Sequence, residues 1–439
     1  MQFDTIIHNA VLITCNPRFD ILRPGWIGIR RGRIAALDSQ TAAARRPAAA
    51  ETVDARGGIV MPGLVNTHTH LPMTLFRGLA DDLPLAAWLE KHIFPAERAA
   101  LHPETVRWGA LLACAEMILS GTTTCADGYF HVDAVAQAVQ AAGLRAVLAQ
   151  GVIDRPAPGV PDPARNLAVA RSFCEQWQER AGTIQPSVFC HSPYTCSRET
   201  LVGAKRICDD LGLLFQVHAA ETRWEADHLR STTGASPIVY LDRADVLDER
   251  TLLVHSVWVD DADIAVIAER RAGVSHNPES NMKLAAGVAP VAELLAAGIP
   301  VGLGSDGCAS NNDLDLFFAM DLAAKLQKVV RRDPTVLPAE AVIRMATIDG
   351  ARTLGLARAI GSLEPGKQAD LLVLDTRAPH LTPLHRPASA VVYAAKGSDV
   401  SAVMVAGRWL LKDRRLQTLD VEEIRRNVNR LAAGIALRA

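Results

Sequence analysis

The sequence predicts an α/β fold: a (β/α)8 TIM-like barrel accompanied by a small β-sandwich domain formed by both chain ends. Three observations predict it. Between roughly residues 60 and 310, short apolar runs recur and helix-like stretches separate them. Each run ends in polar residues. Both chain ends instead carry short β-like runs broken by turns.

Taken in order, Thr5–Thr14, Trp26–Ile29 and Arg33–Leu37 read as strands, and the Ala/Arg/Pro stretch 42–50 reads as a surface loop. The barrel runs are Ile59–Val65, Thr122–Ala126, Arg145–Val152, Ser187–Cys190, Leu213–Val217, Thr251–Val254, Gly273–Ser275 and Ile299–Leu303. Between them lie helical patterns at Pro103–Leu119, Val132–Ala142, Arg165–Arg180, Arg198–Leu211, Asp260–Arg271 and Val288–Ala297. Near-continuous Val/Ile/Leu runs imply strands buried on both faces, hence a parallel sheet covered by helices. Eight such units in about 250–300 residues suit a closed barrel. An open doubly wound sheet is the rival, but no GxGxxG follows an early strand. Toward the C-terminus, Asp370–Leu374, Ala390–Tyr393 and Ala402–Val405 read as strands, and residues 421–437 as a terminal helix. Strands this short cannot bury a face alone, so the two ends are expected to pair. The expected division is 59–358 for the barrel, with 1–58 and 359–439 forming the small domain and its helix.

Composition narrows the function classes. Of 439 residues, 49% are hydrophobic, enough for a large core, and the formal net charge is −2. Arginine pairs such as Arg30–Arg31, Arg45–Arg46 and Arg331–Arg332 are scattered, so no basic stripe suggests nucleic acid. The 8 cysteines occur singly, without a CxxC, which argues against a thiolate zinc site or a redox motif. Met1-Gln2-Phe3-Asp4 does not begin a charged-then-apolar leader, and no run of about 18 apolar residues suggests a membrane span. The expectation is a cytoplasmic protein whose partner is a small molecule.

In a barrel, side chains at the C-terminal strand ends converge on one mouth. The first strand runs into Thr67-His68-Thr69-His70, where period-two geometry turns both imidazoles to one side, as two ligands of one metal require. The fourth strand ends in His191, the fifth in His218, the sixth in His255, the seventh in His276 and the eighth in Ser305-Asp306-Gly307. Any one of these fits a packed core, and His276 is read that way. So many at one mouth do not, because an imidazole is costly to bury without a partner. Glu221 follows His218 by three residues, placing a carboxylate where it can move a proton without being a ligand. His8, His92, His102 and His380 fall where no strand end is expected and read as surface or structural.

These residues resemble the amidohydrolase superfamily over almost the full chain, from Pro62-Gly63-Leu64-Val65-Asn66-Thr67-His68-Thr69-His70 to Gly361-Ser362-Leu363-Glu364-Pro365-Gly366-Lys367-Gln368-Ala369-Asp370-Leu371. Within it, Leu85-Ala86-Ala87-Trp88-Leu89, Pro95-Ala96-Glu97, His218-Ala219-Ala220-Glu221 and Ser305-Asp306-Gly307-Cys308-Ala309-Ser310-Asn311-Asn312 are similar to the methylthioadenosine/S-adenosylhomocysteine deaminases. The resemblance implies that His68, His70, His218 and Asp306 hold one metal ion, zinc, with iron or manganese also suited to a His/Asp site. It implies that Glu221 and His255 flank the attacking water, and that Trp88, Glu97 and His191 contact a nucleoside. Arg155 and Arg165 lie near the places where the family meets a homocysteine carboxylate. A homo-oligomer, dimer or tetramer, is the family habit.

Binuclear members carry a bridging lysine at the end of strand four. Here no lysine occurs between Lys91 and Lys205, which implies one ion. Three imidazoles and a carboxylate leave a coordination position open, where zinc would make hydroxide available near neutral pH. In the implied reaction Asp306 with His255 takes the water proton, and Glu221 protonates N1 of an adenine ring and then assists departure of ammonia. The alternatives are a deaminase of another purine, a pterin or a triazine, and a metal-free assembly protein, which would lack the four ligands.

Overall fold

The structure, a computed structural model, describes residues 2–39, 48–180 and 182–436. Among these residues five strands precede the barrel: β1 (Phe3–Ile13), β2 (Ile21–Arg30), β3 (Arg33–Ser39), β4 (Ala49–Asp54) and β5 (Ile59–Pro62). Eight follow: β6 (Leu64–Thr69), β7 (Thr122–Tyr129), β8 (Arg145–Val152), β9 (Ile184–Cys190), β10 (Leu214–Ala219), β11 (Thr251–His255), β12 (Gly273–His276) and β13 (Val301–Leu303). They pair in parallel in chain order, and Leu303 opposite Asn66 closes the barrel. The last four are β14 (Leu371–Leu374), β15 (Val400–Val405), β16 (Arg408–Lys412) and β17 (Arg415–Leu416).

The sandwich expected from the chain ends is one nine-stranded mixed sheet, ordered β17-β16-β15-β14-β5-β1-β2-β3, with β4 also paired to β1. Strand alternation sorts its side chains. Val60, Leu371, Val373 and Met404 join Ile7, Leu12 and Ile27 in the sheet's own core. Their neighbours Ile59, Met61, Leu372, Leu374, Val403 and Val405 join the main core shared with the barrel helices. A buried two-pronged ion pair also links the two parts. Arg145 at the start of β8 donates to Asp370 from Nε (2.7 Å) and Nη2 (3.2 Å), and Asp370 accepts the Ala406 N–H as well.

Three elements differ from expectation. Ile59–Val65 is two strands, not one. β5 belongs to the outer sheet, between β1 and β14, and the chain enters the barrel only after Pro62-Gly63. A Cβ on Gly63 would lie 2.1 Å from Thr123 Cγ2, so only glycine lets the chain cross there. Ala390–Tyr393 is the end of a helix, Pro387–Tyr393, with proline in its first turn. A four-residue apolar run does not distinguish the two states. Of the stretch read as a loop at 42–50, residues 42–47 lie outside the described residues, and Ala49 onward is β4. The remaining helices sit within a few residues of their expected bounds, and the terminal helix is Val421–Ala436.

Inside the barrel, Val65, Ala126, Val147, Phe189, Leu252 and Val254 pack with Ala351 of the helix Ile348–Thr353 and with Leu354 just past its end. Above them the inward residues turn polar and pair across strands: Asn66 Nδ2 donates to Ser305 Oγ (2.7 Å), and Gln216 Nε2 to Ser187 Oγ (2.8 Å). Thr67 and Ser275 share a hydroxyl hydrogen bond of 2.7 Å. Cross-strand hydrogen bonds of this kind make the layer beneath the strand ends a rigid platform.

Candidate metal centre and substrate pocket

Four side chains converge at the C-terminal ends of β6 and β10 and just past β13. His68 and His70 alternate out of β6 on one side, His218 comes from β10, and Asp306 is held against β6 by its own N–H donating to the His68 carbonyl at 3.0 Å. The Nε2 atoms of His68 and His70 lie 3.3 and 3.5 Å from Asp306 Oδ1, and the Nε2 atoms of His68 and His218 are 3.3 Å apart. Three of the four donors are fixed from behind, and His68 packs its ring on Phe189 instead. His70 Nδ1 donates to the Gly128 carbonyl and His218 Nδ1 to the His191 carbonyl, both at 2.7 Å. Ser280 (2.6 Å) and Ser310 (2.9 Å) donate hydroxyls to Asp306 Oδ2.

The proton inventory decides what this cluster suits. Burial lowers the pKa of His70, that of His218 far more, and that of His68 to about 4, so the rings are neutral at pH 7. Since His70 and His218 spend their protons on carbonyls, their Nε2 atoms are bare lone pairs. The lone pairs of His70 and His218 therefore face the Asp306 carboxylate and the His68 ring in a dry site. A cation resolves that arrangement, and backing of ligand imidazoles by carbonyls is the habit of metal sites. Asp306 would be raised by burial, yet the hydrogen bond and charges of the imidazoles hold it well below the usual carboxylate range.

Glu221 and His255 border the cluster. Glu221 Oε1 is 3.9 Å from His255 Nε2, while His255 Nδ1 donates to Asn281 Oδ1 at 2.9 Å. The sequence set His255 beside the water rather than among the ligands, but its ring nitrogen falls within 4.8 Å of those of His68 and His218. Burial raises the Glu221 carboxyl. The turn that delivers Glu221 is clamped by Glu225, whose buried carboxylate accepts the N–H groups of Ala220 (2.9 Å) and Glu221 (2.8 Å). Four residues here have left-handed backbones: Ala220 (φ 54°), His255 (75°), Ser256 (47°) and Asp306 (61°). Such strain persists only where surroundings impose it, and it gathers at working sites.

One chamber encloses Trp88, Glu97, His191, Glu221, His255 and Asp306. Trp88 and Glu97 sit on the broken helix Leu85–Ala100 and are buried. Glu97 accepts the Tyr129 hydroxyl at 2.5 Å, and burial pushes its carboxyl up to about 7. His191 Nδ1 lies 2.9 Å from Thr195 Oγ1, and burial lowers its pKa to about 3. A wider outer chamber shares Leu85, Leu89, Phe94, His191, Tyr194 and Leu284 with this one. Arg155 lines only the outer chamber. Arg165 ends the turn Pro163–Arg165, is exposed and lines neither, so the structure does not bring it to the pocket. His276, read as a core residue, is buried with no partner for either ring nitrogen among the described residues.

A model described as the amidohydrolase family matches residues 59–410. The chain belongs to the amidohydrolase family. It is 46% identical, over 98% of each chain, to a 5-methylthioadenosine/S-adenosylhomocysteine deaminase of Syntrophobacter fumaroxidans. A 5′-deoxyadenosine deaminase of Methanothermobacter thermautotrophicus is 48% identical, over 94% of this chain and 96% of its own. A crystal structure of an adenosine deaminase from Xanthomonas campestris with bound zinc matches 99% of both chains with a TM-score of 0.96 at 37% identity. As an amidohydrolase, a metal-dependent hydrolase, the chain departs from the members that use a bridging lysine. Lys205 lies on the helix Arg198–Leu211, its ammonium paired with Asp209 and with Asp248 (2.8 Å), and β9 delivers His191 instead.

Several residues of the site escaped the sequence reading, namely Tyr129, Phe189, Glu225, Ser280 and Asn281, and Ser310 stood in a quoted motif without a role. Ser280 and Asn281 follow the seventh strand directly, in Asn277-Pro278-Glu279-Ser280-Asn281, so the strand-end rule reaches them. Glu225 is flagged by Thr222-Arg223-Trp224-Glu225, a helix-start signature. Tyr129 and Phe189, whose ring stacks on His68 at 5.7 Å, carry no such signal.

Proposed function

We propose that the protein deaminates the adenine ring of 5′-modified adenosines, 5′-methylthioadenosine and S-adenosylhomocysteine with adenosine itself, giving the inosine analogue and ammonia. A single zinc ion held by His68, His70, His218 and Asp306 is the proposed metal. The observation that carries the reading is the sharing of one buried chamber by the lone-pair cluster, Glu221 and Glu97. The relatives named for adenosine-type substrates support it.

A metal bound there supplies the Lewis acidity that makes water nucleophilic near neutral pH. The rest falls to the chain. Glu221, whose hold on a proton burial strengthens, donates to N1 of the adenine and makes C6 electrophilic. His255 Nε2, facing Glu221, and Asp306 take the proton of the attacking water. As water adds at C6 and the amine leaves, a proton returned through Glu221 lets the nitrogen depart as ammonia. Glu97 accepts hydrogen bonds from the two ribose hydroxyls, and Trp88 packs along the nucleoside.

The test is an ammonia-release screen over 5′-methylthioadenosine, S-adenosylhomocysteine and adenosine, with guanine and cytosine as controls. Turnover of the nucleosides alone is expected. Ammonia from guanine or cytosine without any from the nucleosides would overturn the proposal.

A further inference from the structure

The outer chamber carries an inference about the 5′ substituent, and it rests on the nucleoside reading above. Its wall is largely apolar, with Leu83, Pro84, Ala86 and Leu89 on one side and Trp224 and Trp258 at the rim. Trp224 is 60% exposed, set edge-on against Tyr194 at 5.3 Å, and Trp258 is 37% exposed, so two indoles stand partly open at the chamber's mouth. Exposed aromatic surface of this kind marks a binding surface.

The cations of this chamber are Arg155, Arg223 and Lys283, and each already has a carboxylate. Arg155 Nη1 is 3.1 Å from Glu90 Oε1, Lys283 Nζ is 2.5 Å from Asp81 Oδ1, and Arg223 Nε is 3.5 Å from Asp227 Oδ2. Arg155 sits at the neck, its guanidinium 4.6 Å from the ring centroid of Phe94, which lines both chambers. Glu90 lines the outer chamber too, and so does Asp82. Among the described residues, a terminal carboxylate entering this space meets no unpaired cation, and at Arg155 it must share the guanidinium with the negative charge of Glu90, which already holds Nη1.

We infer that the outer chamber selects neutral, apolar 5′ substituents, and that Glu90 is a specificity-determining residue that disfavours a terminal carboxylate by setting its own negative charge against Arg155. Small thioether and alkyl groups lie along the leucine and indole walls. Amino-acid arms are accepted less well.

The experiment measures kcat/KM by ammonia release for the metal-loaded wild-type protein, Glu90→Gln and Trp224→Ala. The substrates are 5′-methylthioadenosine, S-adenosylhomocysteine, an adenosine with a 5′-carboxyethylthio group, and adenosine. The wild type is expected to favour 5′-methylthioadenosine over both carboxylate-bearing nucleosides. Glu90→Gln should shift that ratio toward the carboxylates by roughly two- to fivefold, the range an exposed ion pair supports. Glu90 has 60% of its side chain exposed, so folding is not at stake in this variant. Trp224→Ala should lower kcat/KM for 5′-methylthioadenosine more than for adenosine. A wild-type preference for S-adenosylhomocysteine, or a ratio unmoved or reversed in Glu90→Gln, would overturn the inference while leaving the nucleoside reading intact. Absence of turnover with all four nucleosides would overturn both.

Discussion

On the floor of the pocket most working groups are steadied by a second group: His70 by Gly128, His218 by His191, Asp306 by Ser280 and Ser310, Glu221's turn by Glu225. In the outer chamber, charges pair where water reaches them, as in Arg155 with Glu90, whose side chains are 35% and 60% exposed. The floor rests on strand ends, the outer wall on helices and turns that leave the barrel. The difference teaches where each property is stored. Chemistry needs donors held to fractions of an ångström by rigid elements, whereas choice of substituent needs a surface that can change without disturbing them.

The largest break should come from the metal. Treatment with a strong chelator is expected to abolish ammonia release and zinc readdition to restore it, with metal content followed in parallel. Next, Glu221→Gln should keep the metal and lose about 10²–10⁴-fold in kcat, since it removes only a proton carrier. Normal turnover in that variant would remove Glu221 from the chemistry. Ser280→Ala, which strips a supporting hydroxyl from Asp306, should weaken metal affinity by about 10- to 100-fold, measured by competition with a chromophoric chelator.

Moving outward, Glu97→Ala should raise KM for adenosine nucleosides by about 10- to 100-fold, the worth of hydrogen bonds to a charged group, and leave the affinity for free adenine nearly unchanged. The same residue gives a pH dependence. Its carboxyl is pushed up to about 7, so it becomes neutral as pH falls through that value and loses acceptor strength. KM for nucleosides should therefore rise below pH 7 and level off above it, and in Glu97→Ala that rise should vanish. The smallest effect belongs to the outer wall. Arg155→Ala, because Glu90 already satisfies the guanidinium, should change kcat/KM by only a few-fold for any 5′ substituent.

The barrel was legible because its strands are apolar runs that must be covered on both faces, and eight of them alternate with helices where no GxGxxG marks an open doubly wound sheet. The residues of the floor were legible because strand ends are fixed points: once β6, β10 and β13 are placed, His68, His70, His218 and Asp306 have nowhere to go but the mouth. What escaped was of two kinds. Ile59–Val65 reads as a single strand because both halves are equally apolar, and only the contact between Gly63 and Thr123 marks the crossing. The helix at Pro387–Tyr393 has too few residues for its periodicity to speak. Distances set by turns also escaped: Arg165 lies only ten positions after Arg155, yet the turn at Pro163–Arg165 leaves it facing solvent. Supporting groups such as Tyr129 and Phe189 differ from ordinary core aromatics only by what stands beside them.

β5 has one neighbour from each end of the chain, β1 on one side and β14 on the other, and it hands the backbone across Gly63 directly to the strand bearing His68 and His70. During synthesis, β14 leaves the ribosome more than 300 residues after β1, the other neighbour. The first two imidazoles of the centre thus depend on a sheet that stays unfinished until nearly the whole polypeptide exists. A chain ended before Leu371 would keep the strand that bears the histidines but lack the one that flanks β5 on its far side.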